Sequence, residues 1–467
     1  MDSSLGLFLA ILGIIIIFRQ NLRHHQQIQH LECLHSCKAP PTEIRFKYDF
    51  FGILKALELA FHFHRRTSLI YTNALFKQYG ETYLSNILTY RLVFTHNAEN
   101  IKHILSTAFP DFDSSPLRRP LFEDITPHGI FTLDGAGWKK SRERLRSRMV
   151  NLRQIIDLDQ CEEHFQDFLQ YIPPNGGMFD VQACAFGLSL DMQTLFSLGE
   201  SVNALSFTQS DEKKQFFDDL LFVKERIVQD GFRGPLRYLS PKRRFLQCCA
   251  RAREFVMART GDEEDANQAL SILLANDSMS TTLSGLFFCL AQDERVVHKL
   301  RASIIDTVGL TPPTWGQLGS LHYVRWVLQE VMRLYPAVVL NARVANKNTT
   351  LPTGGGDGTF PILVQKGDII LFSTWARHRL GHDFGENPDL FYPERWEKFS
   401  ADTPGYIPFN KGPRSCPGQH YAMIVLTYIV ARIFQTFSKV SNFNTKEWTE
   451  RISMTFENQN GVLIGLS

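Results

Sequence analysis

A chain of 467 residues with a formal net charge of +2 carries no overall field that would draw it onto nucleic acid or another polyanion. Hydrophobic residues make up 44% of it and phenylalanine alone occurs 37 times, enough for a large core or a greasy pocket. The eight cysteines (33, 37, 161, 184, 248, 249, 289, 416) form no regular framework, which argues against a disulfide scaffold and for reduced thiols in a cytosol-facing protein.

The run from Leu5 to Phe18, LGLFLAILGIIIIF, is apolar and uncharged, and Arg19 and Arg23 follow it. It is shorter than the roughly 20 residues of a full span. It also lacks the leading positive charge and small-residue cleavage site of a signal peptide. Positive charge after the run favours a cytoplasmic body. The expectation is an uncleaved membrane anchor over 1–18, a juxtamembrane linker over 19–44 and one globular body over 45–467. In the linker, Cys33 and Cys37 lie among histidines, but no second ligand pair at zinc-finger spacing follows. Pro40-Pro41 reads as a stiff lead-in to the body.

The body patterns mostly as helix. Periodicity predicts helices over 67–79, 97–107, 138–150, 157–171, 185–198, 211–230, 240–259, 266–292, 293–307, 321–334 and 418–438. Strand-like runs fall at 81–95, 339–352 and 359–373. Gly354-Gly355-Gly356-Asp357-Gly358 opens no helix, so it reads as a hairpin turn rather than a phosphate loop.

Within 321–334, Glu330 and Arg333 stand three apart on one helix face and can pair. Pro393-Glu394-Arg395-Trp396 follows, and then Phe409-Asn410-Lys411-Gly412-Pro413-Arg414-Ser415-Cys416-Pro417-Gly418. A helix-forming stretch begins directly after Gly418. A cysteine just before a helix start feels the positive end of that helix, which favours thiolate over thiol. Glycines on both sides let the backbone approach a flat ligand closely.

The spacing F-x-x-G-x-R-x-C-x-G resembles the haem-binding loop of the cytochrome P-450 superfamily. The resemblance implies a mainly α fold with small β-sheets, a large helical lobe and a small β-rich lobe around haem b. It implies Cys416 as the thiolate ligand of the iron, Arg414 on a haem propionate and Phe409 packed beside the cysteine. Trp138 and Arg142 reproduce W-x-x-x-R, whose two residues contact propionates in the family, and Arg343 falls where a third propionate partner often stands. Glu330, Arg333 and Arg395 map onto the buried charge triad of E-x-x-R and P-E-R. In the oxygen-activating helix the pattern [A/G]-G-x-[D/E]-T-[T/S] aligns with Leu274 to Met279. That alignment makes Asp277 and Ser278 the implied proton relay, with Ala275 and Ser278 replacing the usual glycine and threonine. A shifted alignment offers Thr281 and Thr282 instead.

Longer stretches, among them Gly129–Gly135, Asp306–Thr314 and Leu351–Gly356, look like the fungal alkane and fatty-acid hydroxylases of the superfamily. That branch implies a hydrophobic small-molecule substrate, a long-chain alkane or fatty acid, hydroxylated at the endoplasmic reticulum membrane. Electrons would come from NADPH through cytochrome P-450 reductase. The basic run Arg144, Arg146, Arg148 and Arg153 reads either as a solvated helix face or as the face on which that reductase docks. A haem isomerase or dehydratase and a degenerate haem-binding membrane protein are the competing readings.

Overall fold

The computed structural model describes residues 26–43, 49, 52–88 and 90–467. Among these residues no helix is long and apolar enough to cross a membrane. The expected anchor, 1–18, lies outside them.

Most of the core is helix packed on helix. Val181–Leu198, Asp277–Leu290, Glu294–Val308, His322–Leu334 and Gln419–Thr436 bury their apolar faces against one another in a single large cluster. A second cluster joins Asp211–Arg233, Arg243–Thr260 and Glu263–Leu273. Local chemistry sets the helix ends. The Asp180, Ser210, Asp262 and Asp293 side chains accept backbone N–H groups that have no partner inside the helix. Gly199 (φ 77°) and Gly261 (φ 82°) stop two helices in the left-handed region.

The β lobe is a five-stranded sheet in the order Thr82–Ile87, Tyr90–Thr95, Ile369–Ser373, Leu340–Ala345, Phe112–Asp113. Among the paired strands of this sheet in the described residues, only Tyr90–Thr95 and Ile369–Ser373 run parallel. Thr349–Gly355 pairs with Phe360–Val364 across the glycine-rich turn, as the hairpin expectation has it. Two small sheets hold the C-terminal strands.

The structure corrects several sequence-based boundaries. The runs 81–95, 339–352 and 359–373 each reach over two strands rather than one, and 81–95 is a hairpin. The helix expected over 266–292 is two helices, Glu263–Leu273 and Asp277–Leu290, with a turn over 274–276. Apolar periodicity continues through that turn, so it gave no warning. In space, the Asn276 carbonyl turns aside to accept the Ser189 hydroxyl at 2.6 Å. The Ser278 N–H bonds Ala275 O, three residues back rather than four.

Candidate active site

The cysteine loop is shaped by its own backbone. The Cys416 N–H donates to Phe409 O at 2.8 Å, and the Ser415 N–H donates to Gly412 O at 3.0 Å. Asn410 (φ 59°) and Gly412 (φ 70°) take the left-handed region. A Cβ on Gly412 would lie 1.9 Å from Leu105 O, so only glycine fits there. The chain then enters the Gln419–Thr436 helix through Gly418. Phe409 is half-buried and packs on the large helical core.

Cys416 combines two properties that rarely coincide. Its side chain is uncovered, yet enough protein surrounds it that burial pushes its thiol up, against the Gly418 N–H and the Arg142 guanidinium, which pull it down. A group that is deep and uncovered at once lines a cavity.

Four arginines gather on the same side. Trp138 is buried on the Gly135–Arg148 helix, and the Arg414 guanidinium lies 4.5 Å from the centre of its ring. Arg142, one turn further along, is half-buried, and burial pulls its pKa down. Arg414 donates to Leu133 O at 2.7 Å, to Ile130 O at 3.3 Å and to the Asp134 carboxylate. Arg343, on the Leu340–Ala345 strand, is 2% exposed. It donates to Ala342 O at 2.8 Å and Asn341 Oδ1 at 3.2 Å, while its Nε is buried without a partner. Burial pushes Arg343 down to about 9, helped by repulsion from Arg118 and Arg414.

Arg118 joins this group although no motif marks it. It donates to the same Asn341 Oδ1 at 2.9 Å, and burial pushes it down to about 10. Asp134, also unmarked in sequence, is the carboxylate of the group. It accepts Arg414 as well as the Ser114 and Ser115 N–H groups.

Glu330, Arg333 and Arg395 are brought together in the core. Glu330 and Arg333 have fully buried side chains and form a two-pronged pair at 2.9 and 3.0 Å. Arg395 Nε reaches Glu330 Oε1 at 2.9 Å, and the Trp396 indole N–H reaches Oε2 at 3.0 Å. Two cations share one carboxylate, and backbone carbonyls of His378, Pro388 and Leu390 satisfy the remaining Arg333 donors.

On the Asp277–Leu290 helix the geometry is less open than the sequence pattern implies. Asp277 is buried and accepts the Lys224 ammonium, which also reaches Asn276 Oδ1. The Ser278 hydroxyl donates back to Ala275 O at 3.0 Å. Thr282 bonds Ser278 O at 2.9 Å, and Thr281 bonds Thr455 Oγ1 at 3.0 Å. Lys224 has no motif, and sequence reasoning missed it.

A surface groove of about 1100 Å³ borders the cysteine loop. Its walls include Met149, Arg153, Arg325, Lys411, Gly412 and Met423 but none of Trp138, Arg343, Arg414 or Cys416. It is a separate feature from the arginine-lined side.

A family model for cytochrome P450 matches residues 50–258 and 232–459. The chain is a cytochrome P450. Similar proteins include a cytochrome P450 monooxygenase, fsdH, of Fusarium heterosporum, 30% identical over 93% of this chain and 83% of that protein. Cytochrome P450 52A13 of Debaryomyces hansenii is 30% identical over 96% and 95% of the two chains. Cytochrome P450 52A5 of Candida maltosa is 34% identical over 76% of each.

This cytochrome P450 monooxygenase therefore belongs to a family that carries haem with a thiolate ligand, and the residues present fit that group. Four guanidinium groups converge, Asp134 pairs with one of them, Arg414, and Arg343 keeps a buried N–H without an acceptor. Unmatched buried cations are costly, and the two propionates of a haem would match them. Cys416 supplies an uncovered sulfur set deep among protein atoms, which suits a metal ligand.

Proposed function

We propose that this cytochrome P450 hydroxylates a long-chain alkane or fatty acid, using electrons that NADPH delivers through a separate flavoprotein reductase. We further propose that an anchor over 1–18 holds it on the endoplasmic reticulum membrane with the 45–467 body in the cytosol. The observation that carries the chemistry is Cys416, deep yet uncovered, on the same side as Arg118, Arg142, Arg343 and Arg414. Similarity to the 52A proteins over most of the chain supports the substrate class.

In this reading a bound haem supplies oxygen activation, and the chain's own residues hold and tune it. Cys416 would provide the sulfur ligand, with Phe409 beside it in the loop. Arg414, Trp138, Arg142, Arg343 and Arg118 hold the propionate edge. Glu330, Arg333 and Arg395 brace the fold behind the loop. Asp277 and Ser278 would pass on the proton that oxygen activation needs. The groove with Arg153 and Lys411 in its wall, together with exposed Arg146, suits docking of the reductase.

The reduced protein under carbon monoxide will show the thiolate-type difference spectrum. Titration with alkanes, fatty acids and terpenoids will then shift the haem spectrum most with long aliphatic chains. Product formation will require NADPH and reductase. The engagement of Asp277 by Lys224 favours one alternative, a haem isomerase or dehydratase acting on a preoxidised lipid. Turnover without NADPH would establish that alternative and reject hydroxylation.

A further inference from the structure

Arg343 and Arg118 reach one acceptor from distant parts of the chain. Asn341 and Arg343 stand two residues apart on the Leu340–Ala345 strand, and both side chains lie on its buried face. Arg118 comes from the Ser115–Phe122 helix. Asn341 Oδ1 accepts Arg118 Nη2 at 2.9 Å, Arg343 Nη1 at 3.2 Å and the Ala342 N–H at 2.9 Å. The Asn341 amide N–H donates to Asn410 Oδ1, in the cysteine loop, at 3.4 Å. One buried amide thus joins two guanidinium groups to the loop that carries Cys416.

An amide is an unexpected partner for two buried cations. A carboxylate would match them better, because an uncompensated buried charge is costly. Asp134, the carboxylate of the group, is spent on Arg414 and on the Ser114 and Ser115 N–H groups. Asparagine differs from aspartate by one charge and hardly at all in shape. Its carbonyl sets where the two guanidinium groups point and leaves their charge uncancelled. Burial accordingly holds both arginines below their ordinary pKa, Arg118 at about 10 and Arg343 at about 9. The Arg343 Nε has no acceptor at all. What the pair lacks is an anion.

We propose that Asn341 is a positioning residue for the haem, a neutral clamp that orients Arg118 and Arg343 and keeps their positive charge for the propionates. It acts through the two arginines. Aspartate in its place would satisfy them from within the chain and set a negative charge against the arriving propionates. The proposal rests on the haem-thiolate reading of the site and is independent of which substrate is hydroxylated.

The full chain, haem-free and haem-loaded, tests the clamp with Asn341→Asp and Asn341→Leu. Asn341→Asp is expected to raise the melting temperature of the haem-free chain, because the new carboxylate pairs with two buried cations. In the loaded chain the same change will speed haem transfer to an acceptor protein roughly 10- to 150-fold, the equivalent of one lost hydrogen bond to a charged group. It will also lower the midpoint potential of the iron, since added negative charge favours the ferric state. Asn341→Leu removes the acceptor, so it lowers the melting temperature of the haem-free chain and speeds haem loss. In an Arg118→Met background Asn341→Leu will speed haem loss less than it does alone, because part of what the amide holds is already gone. An amide that only packs the strand gives another pattern. Asn341→Asp then lowers both the melting temperature and haem retention and leaves the potential unchanged. That pattern overturns the proposal, as do fully additive effects of Arg118→Met and Asn341→Leu. If the wild type holds haem and neither variant alters its loss, the clamp is rejected while the haem reading stands. A wild type that takes up no haem rejects the reading and the clamp with it.

Discussion

Arg343 shows how a single side chain can record the shape of a missing counterpart. A guanidinium that is 2% exposed, next to two other arginines and with a donor left unpartnered, lowers the stability of the chain as it stands. It makes sense only when an anion completes it. Arg343→Met is therefore expected to raise the melting temperature of the haem-free chain. The same change will speed haem loss from the loaded chain roughly 10- to 150-fold, since a hydrogen bond to a charged group contributes about 1.5–3 kcal/mol. Transfer of haem to an acceptor protein, followed by absorbance, measures the second effect. Glu330 sits at the opposite extreme, with every oxygen engaged by Arg333, Arg395, Trp396 or the Tyr392 N–H. Glu330→Ala strands two buried guanidinium groups, and denaturant melts should show a loss of about 3–5 kcal/mol or no folded protein.

At the scale of elements, the cysteine loop depends on one glycine far more than on another. Gly412 has φ 70° and would place a Cβ 1.9 Å from Leu105 O, on the segment that follows the Ala98–Lys102 helix. Gly418 has φ −85°, and its nearest neighbour to an added Cβ is Cys416 Sγ at 3.9 Å, an ordinary contact. Gly412→Ala will thus abolish the thiolate-type carbon monoxide spectrum, whereas Gly418→Ala will retain most of it. This loop was readable in the sequence because its chemistry needs fixed residue types at fixed spacing. So were Glu330, Arg333 and Arg395, which the fold brings together, and the helix that carries both Trp138 and Arg142. Arg118, Asp134 and Lys224 were not readable. Each acts through a partner far away in the chain, at Asn341, Arg414 and Asp277, and no local pattern announces such a contact. The break at 274–276 was hidden for a related reason, since the hydroxyl that captures Asn276 O comes from Ser189. The short C-terminal strands carry too few residues for any period to show.

Across the whole molecule, the basic face of the Gly135–Arg148 helix proves to be partly spent inside the fold. Arg144 is held by Asp262, Glu264 and Asp265, Arg148 by Asp265 and Lys140 by Glu264. Arg146 and Arg153 stay exposed, and Arg153 lines the groove beside the cysteine loop. Arg146→Glu and Arg153→Glu should therefore slow reduction by the proposed reductase, most at low salt, while Arg144→Glu chiefly loosens the contact with the 263–273 helix. Stopped-flow reduction against ionic strength separates the two effects. A second long-range tie runs through His378. Its Nδ1 lies 3.1 Å from Arg333 O, and its Nε2 accepts the Ile407 N–H at 3.0 Å, so Nδ1 carries the proton and the ring is neutral. It joins the Glu330 helix to the segment leading into Phe409. Burial holds its pKa well below the usual histidine value of 6.5, and Arg333, Arg379 and Arg377 push the same way. The fold thus favours the neutral ring and the unfolded chain the protonated one. The contribution is complete above the unfolded pKa of about 6.5 and is lost as pH falls below it towards the folded value. Carboxyls with raised pKa, such as buried Glu450 and half-buried Glu457, work in the opposite direction, so the wild-type profile alone is a mixture. The comparison with His378→Gln isolates the ring. Between about pH 6.5 and about pH 5, the wild type should lose up to roughly 1.4 kcal/mol per pH unit more than the variant in urea melts. Parallel slopes would mean that His378 does not link the two elements as a neutral ring.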